Sequence, residues 1–174
     1  MHLDNKIEWC LKKGKTGSRK HTGIRIVKPN IELCDAHLEK AVHNFNAALD
    51  MQRGGKYTDW AISAAFYAMY HSVLALLWLF GYESRNQECS IILLEKLIAD
   101  GKINLGKDHL KMLRQLEELA SEQDAKSLRE EFQYGVETSV ESEVLSSLIE
   151  DAKYFVGKVR IEAEGIKKSR RPSE

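Results

Sequence analysis

At 174 residues the chain is long enough for one domain with a genuine core and short for two. Its 26 Lys+Arg balance 26 Asp+Glu, which excludes a protein that coats nucleic acid by bulk electrostatics and leaves that role to a local basic patch. Three widely spaced cysteines (Cys10, Cys34, Cys89), odd in number and without a CxxC pair, argue against a disulfide framework or a zinc ribbon and favour a reducing cytoplasm.

The opening MHLDNKIEW lacks the apolar stretch of a signal peptide, and a short helix is expected over Lys6–Leu11. Lys12 to Lys28 contains no acid and several glycines, which reads as a flexible basic loop with a short extended piece at Ile24–Val27. Residues 1–30 thus form a leader. Pro29-Asn30 starts a helix whose apolar positions Leu38, Ala41, Val42, Phe45, Ala48 and Leu49 recur at helical spacing until Gly54-Gly55 breaks it. Thr58 is placed to cap the next helix and Gly81 to end it. From Trp60 to Leu79 that helix holds no Lys, Arg, Asp or Glu. Its length would span a bilayer. Ser63, Tyr67, Tyr70, His71, Ser72 and the many alanines suit close packing by other helices instead, so it is read as the centre of a fold and not as a membrane segment.

Asn86 or Ser84 can cap a helix through Ile91, Leu94, Leu97 and Ile98 to Asp100-Gly101. Leu110, Leu113, Leu116 and Leu119 mark another, and Ala125–Tyr134 a shorter one. Val144, Leu148, Ala152, Phe155 and Val159 lay out a last long helix before a frayed tail over 167–174. No strand pattern and no internal repeat stands out. The expected fold is all-α: an antiparallel bundle of five to six helices over residues 31–166.

Chemistry is sparse. The histidines show no metal-ligand spacing, since His37 and His43 fall on different helix faces and His109 stands in a helix first turn, so neither metal nor cofactor is expected. There is no GxxxxGK[ST] and no GxGxxG. Tyr67, Tyr70 and His71 lie on the central helix; they either satisfy buried hydrogen bonds or line a cleft where rings stack on bases. The basic loop either grips phosphates or offsets acidic helices in solvent. The loop Gly81–Gln87 has the strongest case. The core fixes its position, and Arg85 with Asn86 suits a phosphate.

Trp60-Ala61, the small-residue helix with AFYAMYH, the glycine turn, the Arg85-Asn86 loop and CSIILLEKL together resemble the HEPN domains, small all-α domains named for nucleotide binding in prokaryotes and higher eukaryotes. Arg129 and Tyr134 in LREEFQYG, and AKYFV in the last helix, resemble the C-terminal half of that family. IEWC, the basic stretch and KPNIEL resemble leaders on a prokaryotic, chiefly archaeal, branch. The likeness covers Ile31–Val159 firmly and the N-terminus loosely.

It implies a bundle that homodimerises with polar loops around a shared cleft. Active members are metal-independent RNases using an Arg, often followed by Asn, and a His after four to six intervening residues; many are toxins paired with nucleotidyltransferase antitoxins. Here Ser90, Ile91 and Ile92 occupy those positions, and Gln87 stands where the closer branch has His directly after Asn. Neither Ser nor Gln carries a proton near neutral pH. The resemblance therefore implies a protein that binds RNA, a nucleotide or a partner protein through Arg85, Asn86 and Gln87, with Tyr67, Tyr70, Arg129 and Tyr134 contributing, and with RNase activity weakened or lost. An active RNase using Arg85 and His71, and a purely structural interaction module, are the alternatives.

Overall fold

Asp59 is the single carboxylate or ammonium side chain in a 22-residue helix over Thr58–Leu79, and such a segment finds no stable place at the surface of a folded chain. In the computed structural model, which describes residues 3–15, 22–121 and 142–170, the fold is all-α and that helix is largely buried. It is long and apolar enough to cross a membrane, but 72% of its most apolar window is buried inside the fold. In chain order the elements are α1 (Leu3–Lys15), β1 (Ile24–Ile26), α2 (Ile31–Gly54), α3 (Thr58–Leu79), β2 (Tyr82–Ser84), α4 (Gln87–Ala99), α5 (Lys107–Ser121) and α6 (Ser142–Arg170). The short helix expected at Ala125–Tyr134 lies outside the described residues.

The chain divides into two compact units, and α2, α3 and α6 each give a segment to both. The first comprises Met1–Glu39, His71–Gly106 and Lys158–Glu174. Val73, Leu76, Leu77 and Leu79 of α3 and Ile91, Leu94 and Leu97 of α4 are buried there. Asn30 caps α2, its side-chain oxygen accepting from the Leu33 amide at 2.9 Å, and its own amide donates to the Trp78 carbonyl at 3.1 Å, so α2 begins beside the end of α3. The second unit comprises Lys40–Tyr70 and Lys107–Gly157. Ala41, Ala68 and Val156 form a packed cluster in it with Phe45 against them, and Gln52 donates to Ser146 Oγ at 3.0 Å.

Four expectations need correction. Cys10 and Cys89 are joined by a disulfide, their Cα atoms 5.7 Å apart, which removes the cysteine argument for a reducing compartment. Only Cys34 is a free, buried thiol. The extended piece expected at Ile24–Val27 is present as β1, but the sheet it forms was not expected: β1 pairs antiparallel with β2, with Ile24 opposite Ser84, Arg25 opposite Glu83 and Ile26 opposite Tyr82. The first helix does not stop at Leu11 but continues to Lys15, taking Lys12, Lys13, Gly14 and Lys15 out of the expected loop. The last helix likewise runs to Arg170 instead of fraying after residue 166. Lys167 is buried and bonded to Asp35 and, at 2.7 Å, to Glu164, while Arg170 donates to the Leu79 carbonyl and sits over the Phe80 ring.

The junction of α1 with β1 depends on glycine. A Cβ on Gly14 would stand 1.8 Å from the Ile24 carbonyl oxygen, a backbone atom that cannot rotate away. Gly14→Ala is expected to lower the stability measured by chemical denaturation by about 2–3 kcal/mol, in the range of forced overpacking. Gly157→Ala is the control: this helical glycine of α6 has nothing within 4 Å, and the substitution should stabilise by about 0.5–1 kcal/mol.

Candidate functional site at the β2–α4 loop

The loop Arg85–Gln87 follows directly from how α3 ends. Gly81, with φ of 76°, takes the left-handed turn that stops the helix, and its carbonyl accepts from the Val27 amide at 2.8 Å. β2 is thereby aligned on β1. One residue beyond β2, the Arg85 amide donates to the Gly23 carbonyl at 3.2 Å. The backbone carrying Arg85 is therefore held by the leader as well as by α3.

Asn86 has extended geometry (φ −135°, ψ 123°), and its side-chain oxygen accepts from the Cys89 amide at 2.9 Å, capping α4. Ser90 is buried; its hydroxyl lies 2.8 Å from Ser84 Oγ and 2.9 Å from the Asn86 carbonyl oxygen. Ser84 Oγ donates to that same carbonyl at 3.2 Å. These bonds fix the loop and commit Ser90, at the first motif-histidine position, to structure. Arg85 has a side chain 50% exposed, and its Nε donates to Glu83 Oε1 at 3.0 Å. A planar guanidinium is the side chain at this loop best suited to a phosphate.

The other expected site residues fall into separate groups. Tyr67 and Tyr70 both pack on Phe66 in the second unit, with ring centroids 5.5 and 6.0 Å away; Tyr67 is exposed and Tyr70 half-buried. His71, in the first unit, meets His37 of α2 with Nδ1 to Nδ1 at 2.9 Å. The ring centroids are 5.2 Å apart and the planes differ by 29°, so the nitrogens lie between the rings and point at each other. One must donate and the other accept, and the pair holds a single proton between them. Arg129 and Tyr134 lie outside the described residues. Among the described residues no group of three or more His, Cys, Asp or Glu could hold a metal ion. Cys34 offers no nucleophile at neutral pH, because burial pushes its thiol up to about 11 despite the nearby Lys167. His109 is buried against Tyr154 and Phe155 in the second unit.

Sequence reading missed three partners: His37 for His71, Gly23 for Arg85, and Cys10 for Cys89. With Asn30 beside Trp78 an antiparallel pairing of α2 and α3 brings residue 37 level with 71.

A helical domain with a fixed arginine loop at the end of its buried central helix defines the class. A family model for the HEPN domain matches residues 34–162, and the chain belongs to that family. Among curated proteins none matches it.

Burial lowers the His37 pKa, so the unfolded chain binds a proton there more readily than the folded one. The sign follows. Stability should be level above the ordinary histidine value of about 6.5 and fall as pH drops from there toward the lowered folded value. Urea melts across pH 5 to 8 should show this slope, and His37→Gln should flatten it.

Proposed function

We propose that this HEPN protein binds RNA through the Arg85–Gln87 loop, as a homodimer, with ribonuclease activity weakened or lost. The observation that carries the reading is a half-exposed arginine on a rigid loop with no proton carrier at the motif positions. Gln87 keeps donor and acceptor capacity, so recognition can persist where proton transfer does not. Ser90 is consumed by its bonds to Ser84 and Asn86. Self-association is supported by large side chains left exposed just before α3 and along its first half, Tyr57, Trp60 and Tyr67. Arg85→Ala should weaken retention of labelled single-stranded RNA, measured without metal, by at least about tenfold, the scale of one charged hydrogen bond. Unchanged retention would defeat the assignment, and a monomer at micromolar concentration in analytical ultracentrifugation would defeat the dimer.

A second reading, an active metal-independent endoribonuclease of the toxin type with a nucleotidyltransferase antitoxin, is favoured by one observation. The His37–His71 pair could take the proton that the RNA 2′-hydroxyl loses as it attacks the phosphate and return one to the departing 5′-oxygen, as the reaction would require. In that case wild type cleaves RNA in chelator, and both His71→Ala and Arg85→Ala lose at least about a hundredfold of the rate. Cleavage indifferent to both would end this version.

A further inference from the structure

The disulfide joins a helix of the leader, outside the matched family region 34–162, to the first turn of α4, three residues after Asn86. A second contact sets the direction of the two helices: Lys96 of α4 lies 3.5 Å from Asp4 of α1. Running from Asp4 to Cys10 along α1 therefore means running backward from Lys96 to Cys89 along α4. Beyond Cys10 the same path brings the basic last turn of α1, Lys12, Lys13 and Lys15, toward the residues that precede Cys89, namely Arg85 to Gln87.

Gly23 supplies an independent measure of that closeness. A Cβ built on it would stand 2.2 Å from the Cys10 carbonyl oxygen and 2.7 Å from Lys13 Cβ, while its own carbonyl accepts from the Arg85 amide. The last turn of α1 and the backbone of Arg85 thus meet at one residue. Arg25 closes the arrangement by donating from Nε to the Gly14 carbonyl at 2.9 Å. Lys12, Lys15 and Arg85 are exposed, and Lys13 lies over the Trp9 ring. Against these four cations stand Glu83, engaged with Arg85, Glu88 and, one turn before Lys12 on α1, Glu8.

We propose that the last turn of α1 and the Arg85 loop form one phosphate-gripping surface for single-stranded RNA, welded together by the Cys10–Cys89 bond. The inference rests on the RNA-binding reading of the Arg85 loop and adds its second half. The leader is then part of the binding site, and its basic residues are placed there by covalent attachment. The competing account is that these lysines only offset the carbonyl end of α1. Both half-cystines are fully buried, so the bond acts as a staple that opens only with the surrounding structure. Reduction by a dithiol transfers two electrons and two protons, leaving two thiols here and a cyclic disulfide on the reductant.

The test titrates a labelled single-stranded oligoribonucleotide, without metal, at several salt concentrations. It uses the full chain as wild type, Arg85→Ala, Lys12→Ala/Lys15→Ala and Cys10→Ser/Cys89→Ser, with circular dichroism confirming the fold of each. The lysine pair is expected to lose about tenfold in affinity and about 1.4 from the slope of log K against log salt, about 0.7 for each lost phosphate contact. The cysteine variant should bind more weakly, with faster amide exchange in α1 and β1. If Arg85→Ala weakens binding but the lysine pair matches wild type in affinity and slope, the shared surface is wrong and the RNA-binding reading stands. If no variant differs from wild type, that reading falls too. Wild-type affinity in the cysteine variant would overturn the role of the staple; should that variant misfold, the lysine pair still decides the surface.

Discussion

Everything in this protein depends on burying α3. A helix of 22 residues with one carboxylate and no ammonium gains more by exchanging water for packed neighbours than any other segment of the chain. Its alanines at 61, 65, 68 and 75 are fully buried and let other helices approach closely, while Phe66, Met69, Leu76 and Leu77 fill the space between. Because α3 is fixed, its end is fixed, and Gly81 passes that precision directly to β2 and the Arg85 loop. An arginine backbone fixed this way would need little further ordering on meeting a phosphate, which lowers the entropic cost of binding.

Precision from one side would still leave a loop free to swing. The leader supplies the other side, through the β1–β2 pairing, the Gly23–Arg85 bond and the disulfide. Each contact is small alone. A backbone hydrogen bond contributes about 1 kcal/mol net. The disulfide differs in kind, since it restricts the unfolded chain over a separation of 79 residues, where loop-closure entropy gives about 4–5 kcal/mol as an upper figure. It ties the leader to the first turn of α4.

How much of this was legible in the sequence followed from the range of the interactions. Asn30, Gly81, Asn86 and Gly101 announced helix ends because caps and left-handed turns are local chemistry, and the composition of α3 alone identified the core. Three-residue strands carry too few positions for alternation to register. Gly14 in KKGK read as a loop signal, yet the helix continues because only glycine fits beneath Ile24. Lys167 read as tail because its counter-charge Asp35 sits 132 residues away, and no local pattern pairs Cys10 with Cys89 or His37 with His71. The ends of the candidate loop, Gly81 and Asn86, were legible because their chemistry is local. β2 within it, and the contacts to Gly23, Val27 and Cys10 that help to hold it, were not, because those partners come from a distant part of the chain.

The arrangement of polar groups bears on what the loop can do. Cleavage of RNA without metal asks for a group that gives and takes a proton at the reacting phosphate, and histidine alone does this readily near neutral pH. At the motif positions the chain offers an amide, a buried hydroxyl committed to two partners and two isoleucines. Its paired histidines stand on α2 and α3, and each limits the other: a proton accepted by both would set two like charges 2.9 Å apart. Such a pair exchanges one proton at most while it stays intact. Arginine suffers no such limit, because its charge is permanent and its fork remains suited to phosphate whatever the pH. The side chains at this loop are therefore better suited to holding an anion than to cleaving its ester, which is the role proposed for the loop together with the basic turn of α1.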